Sequence, residues 1–327
     1  MSRTRIAVLV AVVVALFVPD GPVAAAPDDE GSTSPARKKL AQAARDYNNA
    51  KARLDASTAR RAELDRQLAR GSRRLVTLRA SVAEIADTWY RQGLSRALLG
   101  RVLAGDVTDV LQEADTLRYL GRRDARQVGA LRAAARRQTA QRAELADTIA
   151  VQRKQVATLK KRKAAAQAAV DAVSSGPSSG FSGGSATADP VPRNPDGSLP
   201  DESCSEDDPT TDGCLTPRTL HDYHEARQAG FTRYTACWRE ESSGEHPLGR
   251  ACDFSVTPDG FEGQASGAAK DYGDRLAGWF VANADALAVL YVIWYRQIWL
   301  PGTGWSSYDG SGSPSNEHTN HVHLSVQ

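Results

Sequence analysis

The chain has 327 residues, with 41 Lys and Arg against 39 Asp and Glu and a formal net charge of +2, so it lacks the basic surplus that a phosphate-reading protein concentrates. Basic residues in its first half are interspersed with acidic ones, and a solvated helix face explains them better than nucleic acid does. All four cysteines, Cys204, Cys214, Cys237 and Cys252, lie in the C-terminal part.

In chain order, Met1-Ser-Arg-Thr-Arg5 precedes a thirteen-residue apolar run from Ile6 to Val18, and then Val23-Ala-Ala-Ala26. The run is short for a bilayer, and its basic front and small-residue end predict a secretory signal peptide over 1–26. The mature protein is therefore expected outside the cell.

The segment 35–173 is rich in Ala, Arg, Leu and Gln and nearly free of Gly and Pro, a composition that favours helix. Leu40, Tyr47 and Leu54 recur every seven residues, and Leu75, Leu78, Val82, Ile85 and Trp89 alternate by three and four. Leu145, Ile149, Val156, Leu159, Ala166, Val170 and Val173 form a second such series. These read as the seams of a coiled coil, folded as an antiparallel hairpin. Gly71 marks a turn or kink in the first arm. Between Tyr90 and Leu120 the heptads lapse, which predicts a short-helix cap across the hairpin tip or a docking surface for another protein.

From 174 to 202 the composition turns to Gly, Ser and Pro, and reads as a flexible tether between the hairpin and a C-terminal domain at 203–327. There, Thr216-Pro217 predicts a helix start, with the helix running to about Ala229. Strands are expected over 231–239 and 251–257, a helix over 268–288, and a strand or hairpin over 289–300. The segment 301–316 reads as a loop, and the run from His323 closes the sheet. His221 and His224 read as surface or packing residues. In an oxidising compartment four cysteines predict two disulfides. Of the three connectivities, Cys204 with Cys214 and Cys237 with Cys252 is favoured, because neighbours in sequence close small loops.

Two segments of this domain hold four of the chain's six histidines: His246-Pro-Leu-Gly-Arg-Ala-Cys-Asp253 and His318-Thr-Asn-His321-Val-His323. A catalytic zinc ion takes three ligands from His and carboxylate and leaves a fourth position open. Gly249 lets the backbone turn between His246 and Asp253. On a strand, His321 and His323 project from one face. One can hold a metal while its neighbour stands over the reacting water.

The pattern His246, Gly249, Ala251, Asp253 and His321-Val-His323 resembles the zinc motif of the D-Ala-D-Ala peptidase and hedgehog superfamily. His318, three residues before His321, is most similar to the penicillin-insensitive murein endopeptidases of that group. Cys237-Trp-Arg239 and Val292-Ile-Trp294 are similar to a secreted actinobacterial branch, and the resemblance covers about 203–327. It implies a zinc-peptidase-like fold, zinc ligation by His246, Asp253 and His323, and His321 beside the attacking water. It also implies that Arg239 polarises the scissile carbonyl. Where the dipeptidase branch has a glutamate as base, this chain has Asn320, so that work passes to His321 or His318. Separately, 35–173 resembles the regulatory coiled coils of secreted bacterial cell-wall hydrolases. That likeness implies a membrane-bound division or wall-synthesis protein as partner.

The expected fold is an all-α antiparallel coiled-coil hairpin followed by a small α+β domain with an antiparallel sheet. The expected function is a secreted, cell-wall-associated zinc peptidase cleaving peptidoglycan peptide stems. The alternatives are a zinc-stabilised module that binds cell-wall peptides without cutting them, and a coiled-coil adaptor of a wall-remodelling complex.

Overall fold

The computed structural model describes residues 35–92, 107–310 and 312–327. The expected signal peptide, and the part of the expected hairpin tip between 93 and 106, lie outside the described residues. Helix α1 spans Pro35–Gln92 and α2 spans Val107–Asp171. Residues 107–120 thus belong to one long helix, and α1 runs unbroken through Gly71.

The two helices lie side by side and antiparallel. Moving forward along α1, Asp46 meets Arg162, Ser57 meets Gln155, Gln67 meets Gln141, Ser72 meets Gln138 and Trp89 meets Asp124. Each step forward on one helix is a step back on the other. Much of this contact is a polar ladder, with Gln152 also on Thr58 and Arg60 on Glu144. Leu40, Leu64, Leu75, Ala166 and Val170 are buried, whereas Val156 is 52 % and Trp89 40 % exposed. The apolar seam is therefore narrower than the heptad reading implies.

The C-terminal domain is built on a six-stranded antiparallel sheet. Its strands are β3 Thr235–Ala236, β4 Ala251–Ser255, β5 Val289–Trp294, β6 Gln297–Leu300, β7 Gly304–Ser307 and β8 His321–Val326, in the order β3-β4-β8-β5-β6-β7. A separate pair, β1 Glu206–Asp207 and β2 Cys214–Leu215, precedes helix α3 at Pro217–Gln228, and helix α4 spans Gly267–Ala282. Both expected disulfides are present, Cys204–Cys214 and Cys237–Cys252. Among the described residues no helix is long and apolar enough to cross a membrane.

Several boundaries differ from the sequence reading for physical reasons. The expected strand 231–239 shrinks to the two residues Thr235–Ala236, because the next two backbone N–H groups, of Cys237 and Trp238, donate to the side chains of Thr210 and Asp208 instead of to a neighbouring strand. Helix α4 stops at Asn283, whose side-chain amide donates to the carbonyls of Ala186 and Trp279. β8 sits at the centre of the sheet, between β4 and β5. The β5–β6 connection is the two-residue turn Tyr295-Arg296, both with positive φ. That is the geometry that matches strand twist.

The segment 174–202 has almost no regular structure but is packed, not free. Pro177 bridges to Ser306, Phe181 sits edge-on to Trp305, and Ala188 and Val191 are buried. Gly184 passes so close to Trp279 that a Cβ there would collide with it.

Strand alternation gives the sheet two faces. Cys252 and Phe254 of β4, Val322 and Leu324 of β8, and Val292 and Trp294 of β5 pack with Leu276, Trp279 and Phe280 of α4 in the main core. The opposite face carries Asp253, His321, His323 and Tyr291. Its outer part, Tyr291, Ile293 and Ile298, packs with Leu40 and Ala44 of α1 and Val170 of α2. The base of the helix pair therefore stands on the sheet face that bears the histidines.

Candidate metal centre

Cross-strand register assembles the site. Asp253 pairs with His323 and Ser255 with His321 in the β4–β8 ladder, so the carboxylate and both imidazoles share one face. His246 enters from a short 3-10 helix, His246–Leu248, which ends at Gly249 with φ 66°. A side chain at Gly249 would be strained by that φ and would strike Cys204 Sγ and the Cys214 carbonyl. One disulfide packs against the turn after His246 and the other ends at Cys252, next to Asp253. The two cross-links brace the loop from either side.

His246, Asp253 and His323 are fully buried, and each offers a donor atom within 4.8 Å of the others. His246 Nε2 lies 3.3 Å from His323 Nδ1 and 3.3 Å from Asp253 Oδ2, and His323 Nδ1 lies 2.8 Å from Asp253 Oδ1. Ligands held about 2.0–2.1 Å from a tetrahedral ion stand roughly 3.3 Å apart; the two spacings to His246 Nε2 match that, and the 2.8 Å between His323 and Asp253 is a hydrogen-bond distance. The tautomer of His246 suits a ligand. His246 Nδ1 faces the Cys237 carbonyl, which can only accept, so Nε2 keeps its lone pair toward the centre. His323 Nδ1 is 2.8 Å from the acceptor-only Asp253 Oδ1 and donates to it, while Nε2 is 2.7 Å from Ser325 Oγ; a metal ion taking Nδ1 would require the proton to move to Nε2, where Ser325 Oγ can accept it. Two imidazoles and a carboxylate converging in a buried space could hold a metal ion.

Burial works against a charged Asp253, but His246, His321 and the Arg239 guanidinium hold its carboxyl well below the usual range. Arg239 Nη1 is 2.5 Å from Asp253 Oδ2, and its Nε is paired with Glu241.

The structure also brings His321 and His318 to the centre. His321 Nε2 lies 3.4 Å from Asp253 Oδ1, and the His318 ring is centred 4.7 Å from that of His321. Burial pushes His321 down to about 4. Burial, then His321 and His323, hold His318 well below its ordinary value. Both are neutral at pH 7. His321 Nδ1 is 2.7 Å from Asn320 Oδ1, and the Asn320 amide donates to the Glu262 carbonyl and Ser315 Oγ. Those two bonds fix which end of the amide faces His321, so Nδ1 donates and Nε2 is left as the basic atom. His318 has φ 50°, and its carbonyl accepts from Tyr295 N–H in the β5–β6 turn. His221 and His224 lie away from the site on α3, His221 reaching the Asp189 carbonyl.

Sequence reasoning missed the supporting shell. Tyr291 stacks flat on His323 at 5.5 Å, and Tyr308 meets His318 edge-on. Glu245 is buried beside His246 and takes Arg250 on one oxygen and Arg45 of α1 on the other. Ser325 was legible, since it continues the period-two series His321, His323. The Arg45 and Tyr291 contacts join segments far apart in sequence, and no local pattern marks them.

A family model described as VldE, C-terminal domain, matches residues 211–319, a stretch that takes in His246, Asp253 and His318. No curated protein matches the chain. No solved structure matches it either.

Proposed function

We propose that this chain is a secreted zinc peptidase acting on the peptide stems of peptidoglycan, with the helix pair as a coiled-coil hairpin that positions the domain. The single observation behind it is the convergence of His246, Asp253 and His323, with donor atoms within 4.8 Å of one another, beside two neutral histidines. The disulfides support an oxidising compartment, and the motif's likeness to murein endopeptidases supplies the substrate class. On the same reading the hairpin engages a membrane-bound division or wall-synthesis protein.

When bound, zinc supplies Lewis acidity that polarises a carbonyl and makes water acidic near neutral pH. The chain's own groups do the rest. His321, its Nδ1–H committed to Asn320, offers Nε2 to take a proton from the attacking water and to return it to the leaving amine. His318 lies against His321 and keeps a second neutral imidazole at hand. Arg239 places a permanent positive charge where the carbonyl oxygen gains negative charge.

Digesting purified muropeptides and reading the products by mass, with and without chelator, tests this directly. New peptide fragments that vanish with chelator are expected; an unchanged digest with zinc-loaded protein ends the peptidase reading. The complete burial of the imidazoles favours a second reading, a zinc-stabilised module that binds wall peptides without cutting them. It predicts retained muropeptides and no fragments in the same experiment.

A further inference from the structure

The near-neutral total of the chain conceals an uneven distribution of charge. Helices α1 and α2 carry 28 Lys and Arg against 13 Asp and Glu, whereas residues 172–327 carry 9 against 21. Along most of the helix pair the basic residues are mixed with carboxylates, as on a solvated face. One band breaks that pattern. Between Asp65 and Glu84 on α1, and between Asp124 and Glu144 on α2, there is no Asp or Glu, and each stretch holds five arginines and no lysine.

The antiparallel pairing sets the two stretches side by side, since Gln67 meets Gln141 and Ser72 meets Gln138. Arg73 and Arg74 therefore stand level with Arg136 and Arg137, in a band about 27 Å long at the rise of an α-helix. All ten arginines are exposed. Arg66, Arg70, Arg73 and Arg74, spaced i, i+4, i+7 and i+8, share one face of α1. Arg66 and Arg70 both take Glu63, just outside the band, and among the described residues none of the other eight is paired with a carboxylate.

Packing of the helices does not call for this charge. Arg70 stands four residues before Arg74, and Arg132 four before Arg136, spacings at which like charges destabilise a helix. An anionic partner offsets that repulsion, and the forked guanidinium matches phosphate oxygens two at a time. Exposed apolar and aromatic side chains then select a lipid surface over a phosphate polymer in water. Val76, inside the band, is 65 % exposed, and toward the far end of the pair Tyr90 and Tyr119 are 89 % and 61 % exposed. Such side chains gain by entering the headgroup layer of a bilayer, where the phenolic oxygen stays wet.

We propose that this arginine band binds the headgroup phosphates of an anionic lipid bilayer. The helix pair then lies on the membrane, while the acidic C-terminal domain, repelled by the same surface, is held off it with the candidate metal centre. Neither zinc nor cleavage enters into this inference.

The test is flotation of the chain lacking residues 1–26, whose apolar run would itself enter lipid, with vesicles of phosphatidylglycerol and phosphatidylcholine or of phosphatidylcholine alone. Binding to the anionic vesicles only, fading as salt is raised, is expected. Arg73→Gln, Arg74→Gln, Arg136→Gln and Arg137→Gln together are expected to weaken it about 100-fold or more, at the strength of one basic residue near an anionic surface multiplied four times, with the thermal melt unchanged. Tyr90→Ser with Tyr119→Ser is expected to weaken vesicle binding but not binding to soluble polyphosphate. Equal binding to neutral vesicles, no binding at low salt, or an unchanged affinity in the arginine variant overturns the proposal. Tyrosine variants that bind vesicles like the wild type, with polyphosphate displacing both, assign the band to a soluble polyanion and overturn the membrane assignment.

Discussion

Asn320 touches no candidate metal ligand, yet it sets which nitrogen of His321 is basic. Replacing it with Ala removes the acceptor for Nδ1–H while leaving His246, Asp253 and His323 in place. Turnover is expected to fall about 10- to 100-fold, the usual effect of losing such a support, with zinc content and KM little changed. Steady-state kinetics beside metal analysis check this, and a matched loss of zinc would assign Asn320 to the fold. Acid should loosen the metal-free protein. His321 lies at about 4 in the folded chain against its ordinary 6.5, so between those values the unfolded chain binds more protons. Stability is then complete above about pH 6.5 and falls by about 3 kcal/mol as pH drops toward 4. Asp253, held below its ordinary 3.8, adds to the loss at lower pH. Thermal melts of chelator-stripped protein across pH 4–7 read it out. Asp222 on α3 shows the opposite sign. It is fully buried with both carboxylate oxygens unpartnered, and burial holds its pKa well above 3.8. Any stability from its neutral form is present below pH 3.8 and is lost as pH rises. Asp222→Asn is therefore expected to raise stability at pH 7 by about 1–2 kcal/mol, with the gain shrinking in acid.

At the scale of elements, the site depends on segments held together from outside. Removing the Cys237–Cys252 bond by a double Ser substitution frees a loop with a sequence separation of 15 and is expected to cost about 3 kcal/mol. Zinc affinity should weaken with it, since that loop carries His246; denaturant titration and metal competition measure the two effects. Arg45→Ala breaks the tie between α1 and Glu245. A loss of about 1–2 kcal/mol is expected, with faster amide exchange at the base of α1. How much of this was legible depended on range. The period-two series in His321-Val-His323-Leu-Ser325, the Thr216-Pro217 helix start and the turn at Gly249 are local and could be read. The central place of β8 could not, because strand order is a long-range choice. Residues 174–202 misled for a similar reason. Their Gly and Ser content reads as a tether, but the missing side chains at Gly180 and Gly184 are what allow the backbone to lie against Trp305 and Trp279.

For the whole molecule, the arrangement joins a long helix pair to a compact sheet domain through a polar and apolar base. Leu40 and Val170 read in sequence as hairpin seam, but they also pack with Tyr291 and Ile293 of the sheet. A residue can serve both contacts, and periodicity records only one. The central claim is that His246, Asp253 and His323 hold one zinc ion. Zinc stoichiometry of the purified full chain, measured beside His246→Ala, Asp253→Ala and His318→Ala, tests it most directly. One zinc per chain in the wild type and in His318→Ala, with none in the other two, is the predicted result. Zinc-free wild type after loading, or equal zinc in all four proteins, would contradict it.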